Sequence, residues 1–200
     1  MVMKWAMSLN WVFTLGLALL FVLGGVTHNR LARDYRNRLD ARIQTVAWVW
    51  ALSSVHFSLV VLAAIRSTWH FNLLTPIGMG GGMVLVGIGT TICLAQAYAF
   101  RSFKRLNFMD HKRLVTEGIY RWSRNPGLVG WTLVLAGLGM VRESAMVLFL
   151  AIVVWVGYRL HLPTEEEHLR RVFGDAYEEY RQRTPRYFGW PRKTSKTPQS

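Results

Sequence analysis

Two polar clusters in this chain hold the residue types that chemistry needs, and each is set directly against apolar sequence. The first, Leu114 to Gly130, reads LVTEGIYRWSRNPGLVG and gathers Tyr120, Arg124 and Asn125, with His111 just upstream. The second, PTEEEHLRRVFGDAYEEYRQRTPR from Pro163, sets Glu165 beside Glu166. A guanidinium recognises carboxylates and phosphates through paired hydrogen bonds. An imidazole moves protons near neutral pH, and adjacent carboxylates attract cations and accept from hydroxyls. The second cluster follows the first by about 35 residues, on the far side of an apolar hairpin. Folded back to one face, the two patches can build a single site.

The elements that must position them are membrane helices. Of the 200 residues 52% are hydrophobic, and they lie in blocks: residues 5–27, 45–65 and 73–100 contain no charge. Each block meets the roughly 20 residues that a helix needs to cross a hydrocarbon core ~30 Å thick. The stretch from Pro126 to Tyr158 is apolar too, broken only by Arg142 and Glu143. A single helix would bury that pair near the bilayer centre at a cost of several kcal/mol, whereas a hairpin puts it in a turn. Each arm is then about 15 or 16 residues, or ~24 Å at about 1.5 Å per residue. The expected fold is all-α, a polytopic bundle of about five transmembrane helices with the last two as a hairpin. It forms one domain over 1–191, followed by a disordered basic tail at 192–200.

Charge sets the orientation. Of 24 Lys and Arg, five lie in 28–44, seven in 101–128 and nine from Arg159 onward. Alternate connections are therefore basic, which places the N-terminus outside and both polar clusters in the cytoplasm, at the inner membrane in a bacterium. The opening apolar block is long for a secretory signal and is read as a retained first helix. The net charge of +13 belongs to residues that orient the spans and meet anionic lipid headgroups, with no nucleic-acid recognition motif among them. The single Cys93 excludes an internal disulfide and a paired-thiol metal site, and no metal-ligating set is evident. Gly78 and Gly82, four apart, suit close helix packing rather than a phosphate cradle, which would follow a strand.

Local signals refine the two clusters. Asn125 and Pro126 start a helix, with the Asn side chain capping free amides and Pro at the first helical position. The positive end of that helix welcomes an anion beside Arg124, which suits a lipid headgroup as readily as a ligand. Pro163 and the Thr164/Glu167 capping box open a further helix, in whose first turn Glu165 and Glu166 serve either the helix end or a ligand. Leu169, Val172, Phe173, Ala176, Tyr177 and Tyr180 then mark one apolar face, which predicts a cytoplasmic helix lying along the membrane or against the spans. Within the second span, His56, Ser53, Ser54 and Ser58 read as interhelical hydrogen-bonding groups.

The ordered set GIYRWSRNP, an apolar hairpin, then EE, Leu, FG, two spaced Tyr and a TPR ending resembles the isoprenylcysteine carboxyl methyltransferase and phospholipid methyltransferase superfamily. The likeness runs from roughly Asn107 to Pro191. It implies an integral-membrane enzyme that uses S-adenosylmethionine to methylate a lipophilic acceptor, of the prenylcysteine carboxylate or phospholipid amine class, at the cytosolic face. Carried over by position, His111, Leu114, Val115, Gly118 and Tyr120 would line the cofactor. Arg124, Asn125 and Pro126 would close the turn, and Glu165 and Glu166 would supply carboxylates. The implied reaction is in-line displacement at the sulfonium methyl, driven by alignment and exclusion of water. Arg124 would orient a carboxylate acceptor, while an ammonium acceptor would need a base, His111 or one of the acids. The sequence departs from the family pattern at Leu128, where Tyr is frequent, and at Asn125, where His is frequent. Two other readings compete: a sterol-reductase relative using NADPH, and a non-catalytic lipid-binding protein of the same fold. The acidic pair with RNP favours methyl transfer.

Overall fold

The computed structural model describes residues 2–37, 40–73, 76–100 and 114–192. His111 and the tail from Lys193 fall outside them. In chain order the elements are α1 (Val2–Asn37), α2 (Ile43–Arg66), a π-helical segment (Pro76–Gly81) leading into α3 (Gly82–Phe100), a 3-10 turn (Gly118–Arg121), α4 (Pro126–Val141), α5 (Ala145–Phe173) and α6 (Asp175–Arg183). Four helices are long and apolar enough to cross a membrane: Asn10–Asn37, Ile43–Arg66, Gly78–Phe100 and Ala145–Phe173. The shorter α4 pairs with α5 as the expected hairpin, and Arg142 and Glu143 occupy its turn.

Lipid-facing surfaces explain the sequence of the spans. Trp11, Phe21, Trp50, Ile65 and Leu94 point outward, because hydrocarbon solvates them as well as a protein interior would. What holds the helices together is close packing. Phe13 and Leu20 of α1, Leu59, Val60 and Ala63 of α2, Leu135 of α4, and Val147 and Leu150 of α5 interlock as one core. His56 of α2 bonds the Leu150 carbonyl of α5 at 3.2 Å, an interhelical link of the kind expected. Ser53 instead donates to Val49 O in its own helix, so it ties no neighbour.

The tightest seam joins α3 to α4 and is made by glycine. A methyl group on Gly89 would meet Gly130 O at 2.5 Å and the Val134 amide at 2.8 Å, and one on Gly137 would strike Gly82 O. Cys93 packs its sulfur against Gly130, as a small apolar residue. Gly78 and Gly82 both face α4, as their spacing predicts, and the seam runs on to Gly89. At the hairpin end Ser144 caps α5, accepting from Val147 N and donating to Thr68 O at 2.8 Å. Arg142 Nε reaches Ala64 O at 2.8 Å, which fastens the turn to the end of α2.

Two local expectations fail at the opposite end. No helix begins at Thr164: α5 runs unbroken through Pro163 to Phe173, so the Thr164/Glu167 capping box does not form. An interior proline costs ~3 kcal/mol. Burial of Leu162, Glu166 and His168 on either side of it holds the helix together. Glu165 and Glu166 therefore sit deep in a helix, where no dipole end neutralises them. The single apolar helix expected there is also cut in two, because Gly174 turns the chain with φ +53°. Leu169 and Phe173 on α5 and Tyr177 and Tyr180 on α6 still pack as one patch.

Substitution at the glycine seam should be read directly as stability. Gly89→Ala is expected to destabilise the bundle by ~1–3 kcal/mol, because backbone blocks the new methyl. Gly157→Ala, with nothing within 4 Å, should unfold at or above the wild-type midpoint. Thermal unfolding in detergent compares the two.

Candidate functional site

The site begins where α3 and α4 are joined. Gly118, at φ +62°, takes a left-handed conformation that glycine tolerates and turns the chain so that Tyr120 points inward. Tyr120 packs edge-on to Phe100 at 5.5 Å and lies in one buried cluster with Tyr177 and Tyr180, against which Leu114 and Val115 pack. The Tyr180 hydroxyl donates to Tyr120 O at 2.9 Å. Burial pushes the Tyr120 and Tyr180 phenols well above their ordinary range, which keeps both as proton-bearing donors.

The loop that follows is stitched to the C-terminal segment. Arg124 donates its amide to Pro185 O at 3.0 Å and its Nε to Thr184 O at 3.1 Å. Asn125 does not cap α4. Its Nδ2 donates to Arg186 O at 2.9 Å, while Ser123 Oγ accepts from the Asn125 amide. Pro126 does open α4, as expected. Trp122 contacts Trp190 at 4.9 Å between ring centres; its amide donates to Ile119 O at 3.1 Å and its carbonyl accepts from Gly189 N at 3.0 Å.

A buried carboxylate closes the assembly. Glu166 Oε1 accepts from Arg124 Nη1 at 2.7 Å and from Arg186 Nε at 3.0 Å, and Oε2 accepts from Arg186 Nη2 at 2.7 Å. The bond to Glu166 holds the Arg186 guanidinium above its ordinary range. Two guanidiniums on one carboxylate leave this clasp with one net positive charge. Glu165, half-buried on the adjoining face, has no hydrogen bond or ion pair among the described residues. After burial itself, it is the next cause of the raised Tyr120 phenol.

Leu114, Val115, Gly118, Tyr120, Arg124, Asn125, Pro126, Glu165 and Glu166 thus come together, while His111 lies outside the described residues. Leu128 is buried on the first turn of α4, so no hydroxyl stands there. Arg186 was missed from the sequence, although the TPR ending contains it. Also missed was a polar line between α1 and α5, formed by His28, Tyr35, His161 and His168.

The clasp is asymmetric, and stability should show it. Arg124 is 11% exposed and Arg186 42%. Arg124→Ala should cost about 3 kcal/mol, since it strips a buried partner from Glu166. Arg186→Ala should cost about 1 kcal/mol or less. Unfolding midpoints in detergent for the two variants give the order.

The sequence is similar to known methyltransferases. The phospholipid methyltransferase family model matches residues 77–176, half of the chain. A probable protein-S-isoprenylcysteine O-methyltransferase of Oryza sativa subsp. indica is 28% identical over 182 residues, covering 86% of this chain and 92% of that protein. Protein-S-isoprenylcysteine O-methyltransferase B of Arabidopsis thaliana is 30% identical over 130 residues, 64% of each chain. The Homo sapiens protein-S-isoprenylcysteine O-methyltransferase is 32% identical over 111 residues, 52% of this chain and 38% of its own. With its apolar spans and its two polar clusters brought together, the chain belongs to the phospholipid methyltransferase family and is an integral-membrane methyltransferase.

Proposed function

We propose that this enzyme moves a methyl group from S-adenosylmethionine to the carboxylate of a lipophilic, prenylcysteine-type acceptor at the cytoplasmic face. The observation that carries the reading is the unequal acidic pair. Glu166 is neutralised by Arg124 and Arg186, whereas Glu165 beside it is left to attract a cation.

The residues fit this cofactor. Its ammonium and sulfonium suit the unpaired Glu165 carboxylate, and its own carboxylate suits the net positive clasp at the start of α4. Leu114, Val115 and Tyr120 supply an apolar and aromatic wall, with Gly118 turning the chain and Asn125 and Pro126 closing the loop. His111 joins this set by the family resemblance. When bound, S-adenosylmethionine supplies a methyl group on a cationic sulfur, already activated for displacement.

The protein's own contribution is placement. A carboxylate acceptor already bears its nucleophilic charge and releases no proton, so no general base is needed. Alignment of the two reactants and exclusion of water then supply the rate. Between α4 and α5 runs an apolar groove of about 310 Å³, lined by Thr132, Ala136, Leu148, Ala151, Ile152 and Trp155. The Thr132 hydroxyl is turned to Leu128 O, which leaves the wall apolar. Trp155 packs on Tyr187 at 4.8 Å, next to Arg186. The concentration of Lys and Arg in 28–44, in 101–128 and after Arg159 supports a cytoplasmic site.

Calorimetric titration of the detergent-purified chain with S-adenosylmethionine tests the reading, with NADPH as the control. Saturable S-adenosylmethionine binding is expected, weakened at least about tenfold in Glu165→Gln, the loss of ~1.4 kcal/mol. Labelled methyl should appear as a base-labile ester on an S-farnesylcysteine derivative. Binding of NADPH alone, or of neither, would sink the proposal.

A further inference from the structure

Between α1 and α5 lies a polar line, buried at Tyr35 and His168 and half-buried at His28 and His161, that the site does not use. On α5, His161, Glu165 and His168 follow at steps of four and three and so share one face. On α1, His28 and Tyr35 are seven apart and oppose them. Part of this line has a plain structural role. His168 stacks on Tyr35 at 4.2 Å and its Nδ1 donates to Tyr35 O at 3.1 Å. Arg171 donates to the carbonyls of Tyr35 and Arg36. Together they satisfy the last carbonyls of α1.

His161 is different. Its Nδ1 lies 3.2 Å from His28 Nδ1, the two rings meeting edge to face. One proton serves that contact, and with His28 as donor the proton of His161 sits on Nε2. That Nε2 is buried and has no hydrogen-bond partner. A ring kept only to join two helices would not hold a polar nitrogen away from both water and protein. The position is telling as well. Toward Glu165 the helix advances one turn, roughly 6 Å. His161 is thus on the membrane side of the acidic pair, at the level that a lipid-borne group reaches first.

We propose that His161 Nε2–H is the hydrogen-bond donor that receives the acceptor's carboxylate, with His28 holding the imidazole in the donating tautomer. The inference rests on the methyl-transfer reading and deepens it. The acceptor oxygen is held on the membrane side and the cofactor's cationic end at Glu165 on the cytoplasmic side, so the transferring methyl lies between them. Arg124 and Arg186 are engaged with Glu166 and serve the cofactor end. No proton changes hands: a carboxylate oxygen forms the new bond to carbon, the carbon–sulfur bond breaks toward sulfur, and His161 stays neutral.

The test is direct binding of S-farnesylcysteine and of its methyl ester to the full-length chain in nanodiscs, alongside S-adenosylmethionine binding as a check that each variant keeps its site. His161→Phe should weaken S-farnesylcysteine at least about tenfold, leave the methyl ester within about twofold, and leave S-adenosylmethionine unchanged. His161→Gln, which retains an N–H donor of similar reach, should restore most of the lost affinity and of the KM. If His161→Phe binds the free acid as wild type does, or loses acid and ester equally, the donor role is wrong while methyl transfer stands. If both His161 variants lose S-adenosylmethionine binding together, His161 is structural and the proposal fails. Wild-type protein that binds S-adenosylmethionine but no S-farnesylcysteine would overturn both the acceptor class and this inference.

Discussion

The end of this protein where the two polar clusters meet depends on one buried carboxylate. Glu166 lies in the interior of a helix, about six turns from the N-terminus of α5 and far from any favourable dipole end. A lone ionised carboxylate there would be costly, and the chain answers with two arginines from separate segments. Arg124 comes from the loop before α4, and Arg186 from the segment after α6. Once both reach Glu166, the loop, the hairpin and the C-terminal segment cannot drift apart. The backbone bonds from Arg124 to Pro185 and from Gly189 to Trp122 follow from that closure.

Such a clasp is only as rigid as the helices that present its parts. The α3–α4 seam is built backbone against backbone by Gly82, Gly89, Gly130 and Gly137, which fixes where α4 starts and hence where Arg124 stands. At the far end, Ser144 and Arg142 lock the hairpin to the close of α2. These contacts are remote from the charged residues, yet they set the register with which α5 delivers Glu165 and Glu166. Supporting shells of this kind decide whether functional groups are held closely enough to act.

The spans were legible in the sequence because membrane insertion is written in composition: residues 5–27, 45–65 and 73–100 carry no charge, and Arg142 with Glu143 marked the turn. The close of the first cluster on the second was legible too, since a hairpin leaves few alternatives. Failures came where tertiary contacts overruled a local signal. Thr164 with Glu167 spells a helix start, but burial of Leu162, Glu166 and His168 outweighs the proline and carries α5 through. Asn125 spells a cap, but the Arg186 carbonyl takes its amide. The His28–His161 contact spans 133 positions, and no local periodicity in α1 announces it.

Glu165 and Glu166 show how two identical neighbours come to do unlike work. Successive residues of an α-helix are turned by about 100° from each other, so the pair cannot share a partner. Glu166 faces the α4 loop and meets both arginines. Glu165 faces α1 and the Tyr120 wall, where nothing cationic stands among the described residues. The first acid therefore spends its charge on folding, and the second is left without an ion-pair partner among the described residues. Had both faced the arginines, the site would be neutral and closed; had neither, the buried charge would undo the helix. An adjacent pair on one unbroken helix resolves that conflict because rotation separates the two roles, and the continuity of α5 through Pro163 is what makes the rotation dependable.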